Sequence, residues 1–344
     1  MPSADGALPD WTRAYGAHVC QGQIKQTCSD FVVTERPAFS CSGDGEHDFL
    51  WIEKTGANTT WVARALARHA GVAVRDIGYA GMKDRHAVTR QWFSVRRPTG
   101  EGTDWASFEL DGVRILDTQR HQRKLKTGAH RGNAFQIAIR RVDKPAEAIA
   151  ARLEIIGRHG VPNYFGTQRF GHAGRNLQLA GRLFSGARLK REQQGIALSA
   201  ARSFLFNEIL ASRVADGSWN EALPGEAVNL DQTGSFFVAD HIDTALRERL
   251  ASLDVHPTGA LWGKGKSACG PLLADRERAI VARHPELVLG LERAGMEMAR
   301  RSLRLAVREL SWEVEVDTLW LRFSLGRGSY ATAVLREIAG VTDD

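Results

Sequence analysis

The densest chemistry in the 344 residues lies in Gly78-Tyr-Ala-Gly-Met-Lys-Asp-Arg-His-Ala-Val-Thr-Arg-Gln91. Asp84 stands there between Lys83 and Arg85, on a glycine-led run between a helix and a strand. Neighbouring cations favour the carboxylate form, which suits a nucleophile or base that must be ionised at neutral pH. An acid between two bases is equally the ordinary make-up of a solvated loop. Two more segments carry mixed chemistry. Asn133-Ala-Phe135 opens a strand, and Phe135 shares the parity of Ile137 and Ile139, which favours a plain core aromatic. Pro162-Asn-Tyr-Phe-Gly-Thr-Gln-Arg-Phe-Gly171 combines aromatics, glycines and Arg169, a mixture suited to base stacking and phosphate contact or to a glycine-rich domain junction.

Other chemistries are poorly served. There is no Walker loop, HExxH, GxSxG or dinucleotide fingerprint, and Gly326-Arg-Gly-Ser-Tyr330 lacks the spacing of a phosphate loop. Phosphoryl and hydride transfer both need such a cradle, so no cofactor is expected. Cys20, Cys28, Cys41 and Cys269 contain no C-x-x-C pair, and their spacings near His18 and His47 fit no zinc pattern, so no metal is expected. No run approaches the ~18 apolar residues of a membrane span, and residues 1–19 show no basic segment followed by an apolar stretch. The expectation is a reduced, soluble, cytoplasmic protein with no membrane partner.

The elements that must position these residues follow from periodicity. Short alternating runs cover Phe31 to Thr34 and Phe49 to Lys54. Asn58 is placed to cap a helix carrying Trp61, Ala65, Leu66 and His69 on one face and ending near Gly71. Strands are expected from Gln91 to Val95 and from Ala134 to Arg140. Pro145 opens a helix with Ile149, Leu153 and Ile156 in register, and Gly160 follows it. The block to about residue 300 reads as mainly helical, with segments near Leu177–Leu189, Leu198–Val214 and Leu287–Leu305. The period then returns to two, with Trp312, Val314 and Val316, a break at Asp317-Thr318, and Leu319, Leu321, Phe323 and Leu325. A terminal hairpin needs a sheet to join. The order strands, helices, strands therefore predicts an α+β domain interrupted by a mostly helical insertion.

Charge is segregated along the chain. The sum is 46 basic against 40 acidic residues, a formal +6, and 37 of the basic residues are Arg, the planar cation that forks onto phosphate. From Ile155 to Arg191 there is no acid but seven Lys and Arg, among them Arg169, Arg175, Arg182 and Arg188. Asp216 to Asp254 carries eight acids against Arg247 and Arg249. A basic face most often meets a polyanion, which marks these arginines as RNA contacts; arginines on solvated helix exteriors are the plainer account.

Together GYAGMKDRHAVTRQ, RGNAF and PNYFGTQRFG, in this order, resemble the TruD family of tRNA pseudouridine synthases. Leu198-Ser-Ala-Ala-Arg-Ser203 and Gly328-Ser-Tyr-Ala-Thr332 also match its pattern, and the resemblance is thinnest between about residues 206 and 300. It implies an α+β pseudouridine-synthase core with a mixed or antiparallel sheet, over 1–155 plus 304–344, and an insertion domain over 156–303. It also implies isomerisation of uridine-13 in the D-arm of tRNA without a cofactor. By resemblance Asp84 is the catalytic nucleophile, Lys25 the active-site lysine and Phe135 the aromatic beside the target base, with Phe31, Asn133 and Tyr330 contacting substrate. Lys25 is then expected within about 4 Å of the Asp84 carboxylate. The alternative is a non-catalytic RNA-binding or RNA-remodelling protein, which has no need of that pair. No apolar heptad seam is evident, which favours a monomer with no protein partner.

Overall fold

The computed structural model describes residues 8–97, 102–143 and 145–343. In chain order its strands are β1 (Cys20–Ile24), β2 (Phe31–Pro37), β3 (His47–Thr55), β4 (Ile77–Tyr79), β5 (Val88–Arg96), β6 (Val113–His121), β7 (His130–Arg140), β8 (Val161–Pro162), β9 (Glu226–Leu230), β10 (Phe236–Ala239), β11 (Val255–Leu261), β12 (Ala299–Ser302), β13 (Arg304–Leu305), β14 (Arg308–Glu315), β15 (Thr318–Gly326) and β16 (Ala339–Asp343). Its α-helices are α1 (Thr59–His69), α2 (Ala146–His159), α3 (Thr167–Phe170), α4 (Arg175–Phe184), α5 (Arg191–Ala215), α6 (Thr244–Ala251), α7 (Pro271–Val281), α8 (Pro285–Arg293) and α9 (Ala331–Leu335). No helix among the described residues is long and apolar enough to cross a membrane. The chain divides into two compact units, one of residues 20–146, 308–328 and 340–343 and one of residues 8–19, 147–307 and 329–339.

The first unit is built on a sheet of ten strands. Its main order is β14-β15-β7-β2-β5-β3-β6, with β4 beside β5, β1 beside β7 and β16 beside β1. The pair β2/β5 is parallel and the other neighbours on the main order are antiparallel, so the sheet is mixed. The C-terminal hairpin does join the early strands: β15 lies on β7 with Phe323 opposite Phe135 and Leu321 opposite Ile137. Helix α1 covers the sheet, packing Val62 and Leu66 on Leu50, Ile52, Phe93 and Val95. Burial of each such side chain stabilises by roughly 1.5–3 kcal/mol. Asn58 holds the cap position without a side-chain bond, and Gly71, at φ 64°, ends the helix as expected. Trp61 departs from expectation: it is exposed, because the buried stripe follows Val62 and Leu66 one residue on. Val316, expected to continue the strand, lies fully exposed in the turn after β14.

The second unit centres on α5, whose Phe204, Leu205, Phe206, Ile209 and Leu210 are buried among residues of α4, α8 and the 164–170 segment. It is less helical than its sequence suggests. An antiparallel sheet, β10-β9-β11-β12, takes β9 and β10 from the acidic stretch and β11 and β12 from beyond it, and β8 pairs with β13. The helix expected over Leu287–Leu305 stops at Arg293; Gly295 takes φ 74° and the chain then returns as β12 on the edge of β11. Leu303 and Leu305, at the far end of the segment expected to be helical, are buried there by the returning strands. The segment expected at Leu177–Leu189 ends similarly early, at Phe184, before Gly186 at φ 93°.

Candidate active site

Asp84 occupies the loop between β4 and β5, which bonds from β3, β5 and the start of α1 tie down. Gly81 accepts from Gln91 Nε2 (3.1 Å), and the Lys83 amide donates to Thr59 Oγ1 (3.0 Å). Thr59 Oγ1 in turn donates to Gln91 Oε1 (3.1 Å), with both side chains fully buried. The Asp84 carbonyl accepts from Lys54 Nζ (2.8 Å), which also donates to the Ala57 carbonyl (2.6 Å). Asp84 Oδ1 accepts from the His86 amide (3.1 Å), a local turn bond of the kind aspartate favours. Gly78, just before the loop, must be glycine: a Cβ there would sit 2.3 Å from the Leu125 carbonyl oxygen.

The cation at the carboxylate comes from a distant part of the chain. Lys25 Nζ donates to Asp84 Oδ2 at 2.6 Å, with the two side chains 14% and 30% exposed. Lys83 and Arg85, the sequence neighbours, do not serve it. Lys83 Nζ turns to Glu35 Oε2 (2.9 Å) in a buried pair, and Arg85 Nε donates to the Gly56 carbonyl (3.3 Å). The Lys25 backbone has φ 59°, a left-handed conformation costly for a residue with a Cβ. Its Nζ also lies 4.8 Å from the centre of the Phe31 ring, a cation–π distance. The turn from Lys25 to Phe31 is held by Asp30, which accepts from the Thr27 amide (3.0 Å) and from Arg140 Nη2 (2.7 Å) and Nε. Burial pushes the Asp30 carboxyl up, but the Arg140 guanidinium and Thr27 hold it below the usual carboxylate range.

Beyond Lys25 the site is aromatic. Phe31, Val33 and Glu35 of β2 stand opposite Ile137, Phe135 and Asn133 of β7. Phe31 meets Phe135 edge to face (6.3 Å), and Phe135 stacks on Phe323 (5.3 Å). Contacts thus run without a break from Asp84 through Lys25 and Phe31 to Phe135. Phe135, 9% exposed, is a core aromatic and also a member of this row. Asn133 lies two residues along the same strand, and its Oδ1 is buried with no hydrogen-bond partner among the described residues.

Tyr330 and Arg169 belong to the other unit and meet each other there. The Arg169 guanidinium donates to the Tyr330 hydroxyl and to Ser199 Oγ (2.8 Å), and lies 5.2 Å from the Phe165 ring and 5.7 Å from that of Tyr330. Arg175, Arg182 and Arg188 are exposed, on α4 or just after it. Among the described residues no group of three His, Cys, Asp or Glu side chains is arranged to hold a metal ion.

Sequence reasoning missed Lys54, Glu35, Thr59 and Gln91. Lys54 could have been found: it shares the parity of Leu50 and Ile52, a charge where the strand pattern calls for an apolar residue. It is fully buried, and burial pushes its ammonium down to about 8.

Comparison with known proteins fits this arrangement. A sequence model of tRNA pseudouridine synthase D (TruD) matches residues 12–185 and 185–338. The chain is 47% identical over 332 residues to the tRNA pseudouridine synthase D of Methylococcus capsulatus, covering 96% of this chain and 94% of that one. It is 46% identical over 330 residues to that of Pseudomonas syringae pv. tomato, covering 95% and 93%. A solved Methanosarcina mazei structure assigned as a tRNA pseudouridine synthase D superposes with a TM-score of 0.74 over 95% of both chains at 20% identity, a likeness of fold. With long motifs, fold and whole-length similarity all in agreement, the chain belongs to the tRNA pseudouridine synthase D (TruD) family.

Proposed function

We propose that this protein isomerises uridine-13 in the D-arm of tRNA to pseudouridine, with Asp84 as the nucleophile and no cofactor. The observation that carries the reading is the Asp84 carboxylate held 2.6 Å from Lys25 at the end of an aromatic row. The reaction breaks the N1–C1′ bond, turns the free base and forms a C5–C1′ bond, while the proton on C5 is lost and N1 gains one. Atoms balance within the nucleotide, so nothing need be carried in or out. An ionised carboxylate adds to C1′ as the base leaves and departs as C5 attacks. Lys25 holds that carboxylate in place, and its charge faces the negative charge on the departing base. The aromatic row of Phe31 and Phe135 gives the freed base a surface to turn against. Asn133 Oδ1, an acceptor without a partner, suits the N3–H of uracil.

The target nucleotide must leave its stack, which requires a grip on the surrounding backbone. The exposed Arg175, Arg182 and Arg188 supply positive charge for it, and Tyr330 and Arg169 a stacked polar pair. In this reading residues 1–155 with 304–344 form the catalytic core and 156–303 the insertion; the sheet of ten strands lies in one compact unit and α5 in the other, with residues 8–19, 147–155, 304–307 and 329–339 grouped with α5. The test is Asp84→Asn with unmodified tRNA transcript and no added metal. Pseudouridine formation should vanish while tRNA affinity stays within a few-fold, since one anion in a basic surface contributes chemistry rather than attraction. Retention of more than about 1% of the parental rate would exclude Asp84 as nucleophile.

A further inference from the structure

We propose that Lys54 is a positioning residue for this reaction, its ammonium fixing the main chain of Asp84 so that the carboxylate is presented in one orientation. The inference rests on the reading of Asp84 as the reacting group. Lysine is almost never fully buried unless paired, yet the Lys54 side chain is 0% exposed and both of its hydrogen bonds go to carbonyls. A leucine or methionine would fill the same core position beside Leu50 and Ile52 without any desolvation penalty. What the ammonium provides here, and an apolar side chain cannot, is a joint between two carbonyls, Ala57 at the entry to α1 and Asp84 in the β4–β5 loop.

Three anchors then define Asp84: Lys54 on its carbonyl, the His86 amide on Oδ1 and Lys25 on Oδ2. Removing the first leaves the residue free to rotate about its backbone while the other two follow it. A shift of ~1 Å at a reacting atom can cost about 100-fold in rate. The joint is also charged. Asp84 and Cys28 favour the ammonium, Lys83 opposes it, and burial brings it to about 8. Lys83 is itself engaged by Glu35, and Arg85 by the Gly56 carbonyl, so neither is placed to take over the Asp84 carbonyl. Raising the pH past that value removes the charge, which weakens both bonds to the carbonyls and ends the attraction toward the nearby carboxylate.

The experiment uses the full chain and unmodified tRNA transcript, with single-turnover rates at saturating enzyme from pH 6 to 9 and Kd from filter binding. Lys54→Met should lose about 100-fold in rate, with Kd within about 3-fold because no RNA-facing charge is lost. The wild-type rate should fall as pH rises past about 8. Lys54→Gln, which keeps N–H donors but cannot titrate, should have a lower rate without that alkaline fall. A parental rate in either variant, rate and affinity falling in step, or an alkaline limb that persists in Lys54→Gln would each overturn the role. Should Lys54→Met fail to fold, a wild-type rate that stays flat to pH 9 overturns it equally. A wild-type chain that makes no pseudouridine removes the proposed function itself, a result separate from any of these.

Discussion

Replacing Lys25 by glycine separates what its side chain does from what its backbone endures. At φ 59° an L-residue is disfavoured by roughly 1–2 kcal/mol, a strain that glycine does not feel. Several losses oppose that relief. The Lys25–Asp84 pair is partly wet, and such pairs contribute about 1 kcal/mol or less. The contact with the Phe31 ring adds roughly 0.5 kcal/mol, and glycine's freedom in the unfolded chain costs about 0.5 kcal/mol. The terms cancel to within about 1 kcal/mol, so the thermal midpoint of Lys25→Gly should move by no more than ~4 °C. Turnover should behave quite differently, because a preorganised charge beside the reacting group is worth about 100-fold or more. Paired denaturation curves and single-turnover assays on tRNA transcript read both quantities. A parental rate would show that the ammonium has no part in the chemistry. A loss above about 3 kcal/mol would show that Lys25 is a structural cross-link whose conformation was selected for folding.

Reversing Arg175, Arg182 and Arg188 to Glu should weaken tRNA binding and lower the slope of log affinity against log salt by about 2, since each neutralised phosphate contributes roughly 0.7–0.9; an unchanged slope places the three away from RNA. Asp30, whose carboxyl sits below its usual range, lends stability that is fully present above the unfolded value of about 3.9 and is lost as pH falls through the lower folded value. Asp30→Asn should therefore be less stable than the parent at pH 7, with the gap narrowing as pH falls below about 3.9, by urea denaturation; a constant gap between the two would refute the linkage.

Several strands with one buried face were legible, although β1 and β11 were not expected. Ala134–Arg140 and the hairpin after Trp312 alternate cleanly, and apart from Val316 their apolar residues pack inward. Helical spacing was less secure: Leu287 to Leu305 reads as one helical segment, because the pattern does not reveal that Gly295 reverses the chain. The short strands β9 to β12 left little trace, since β10 is exposed and β9 too brief to show a period. At the site, local reasoning named Asp84 but offered it the wrong cations. Lys83 is committed to Glu35 by the sheet, a partner forty-eight positions away that adjacency cannot suggest. The Lys25 assignment came from family motifs, and its φ of 59° is invisible in a sequence where glycine would be the usual sign of such a turn.

The placement of β15 beside β7 has a consequence for how the molecule is made. Strand β7 has β2 on one side early in synthesis, but its other edge stays bare until residues 147–307 have left the ribosome and β15 follows. Through that interval a nascent chain presents unpaired amides and carbonyls flanked by Phe135 and Ile137, the sort of edge that recruits other strands. Contacts so distant in sequence also form slowly. Phe323, which backs Phe135 by stacking, arrives with the same late strand. The wall of the site is therefore finished only when nearly all of the chain has been translated, and a product truncated before β15 would be both sticky and catalytically incomplete.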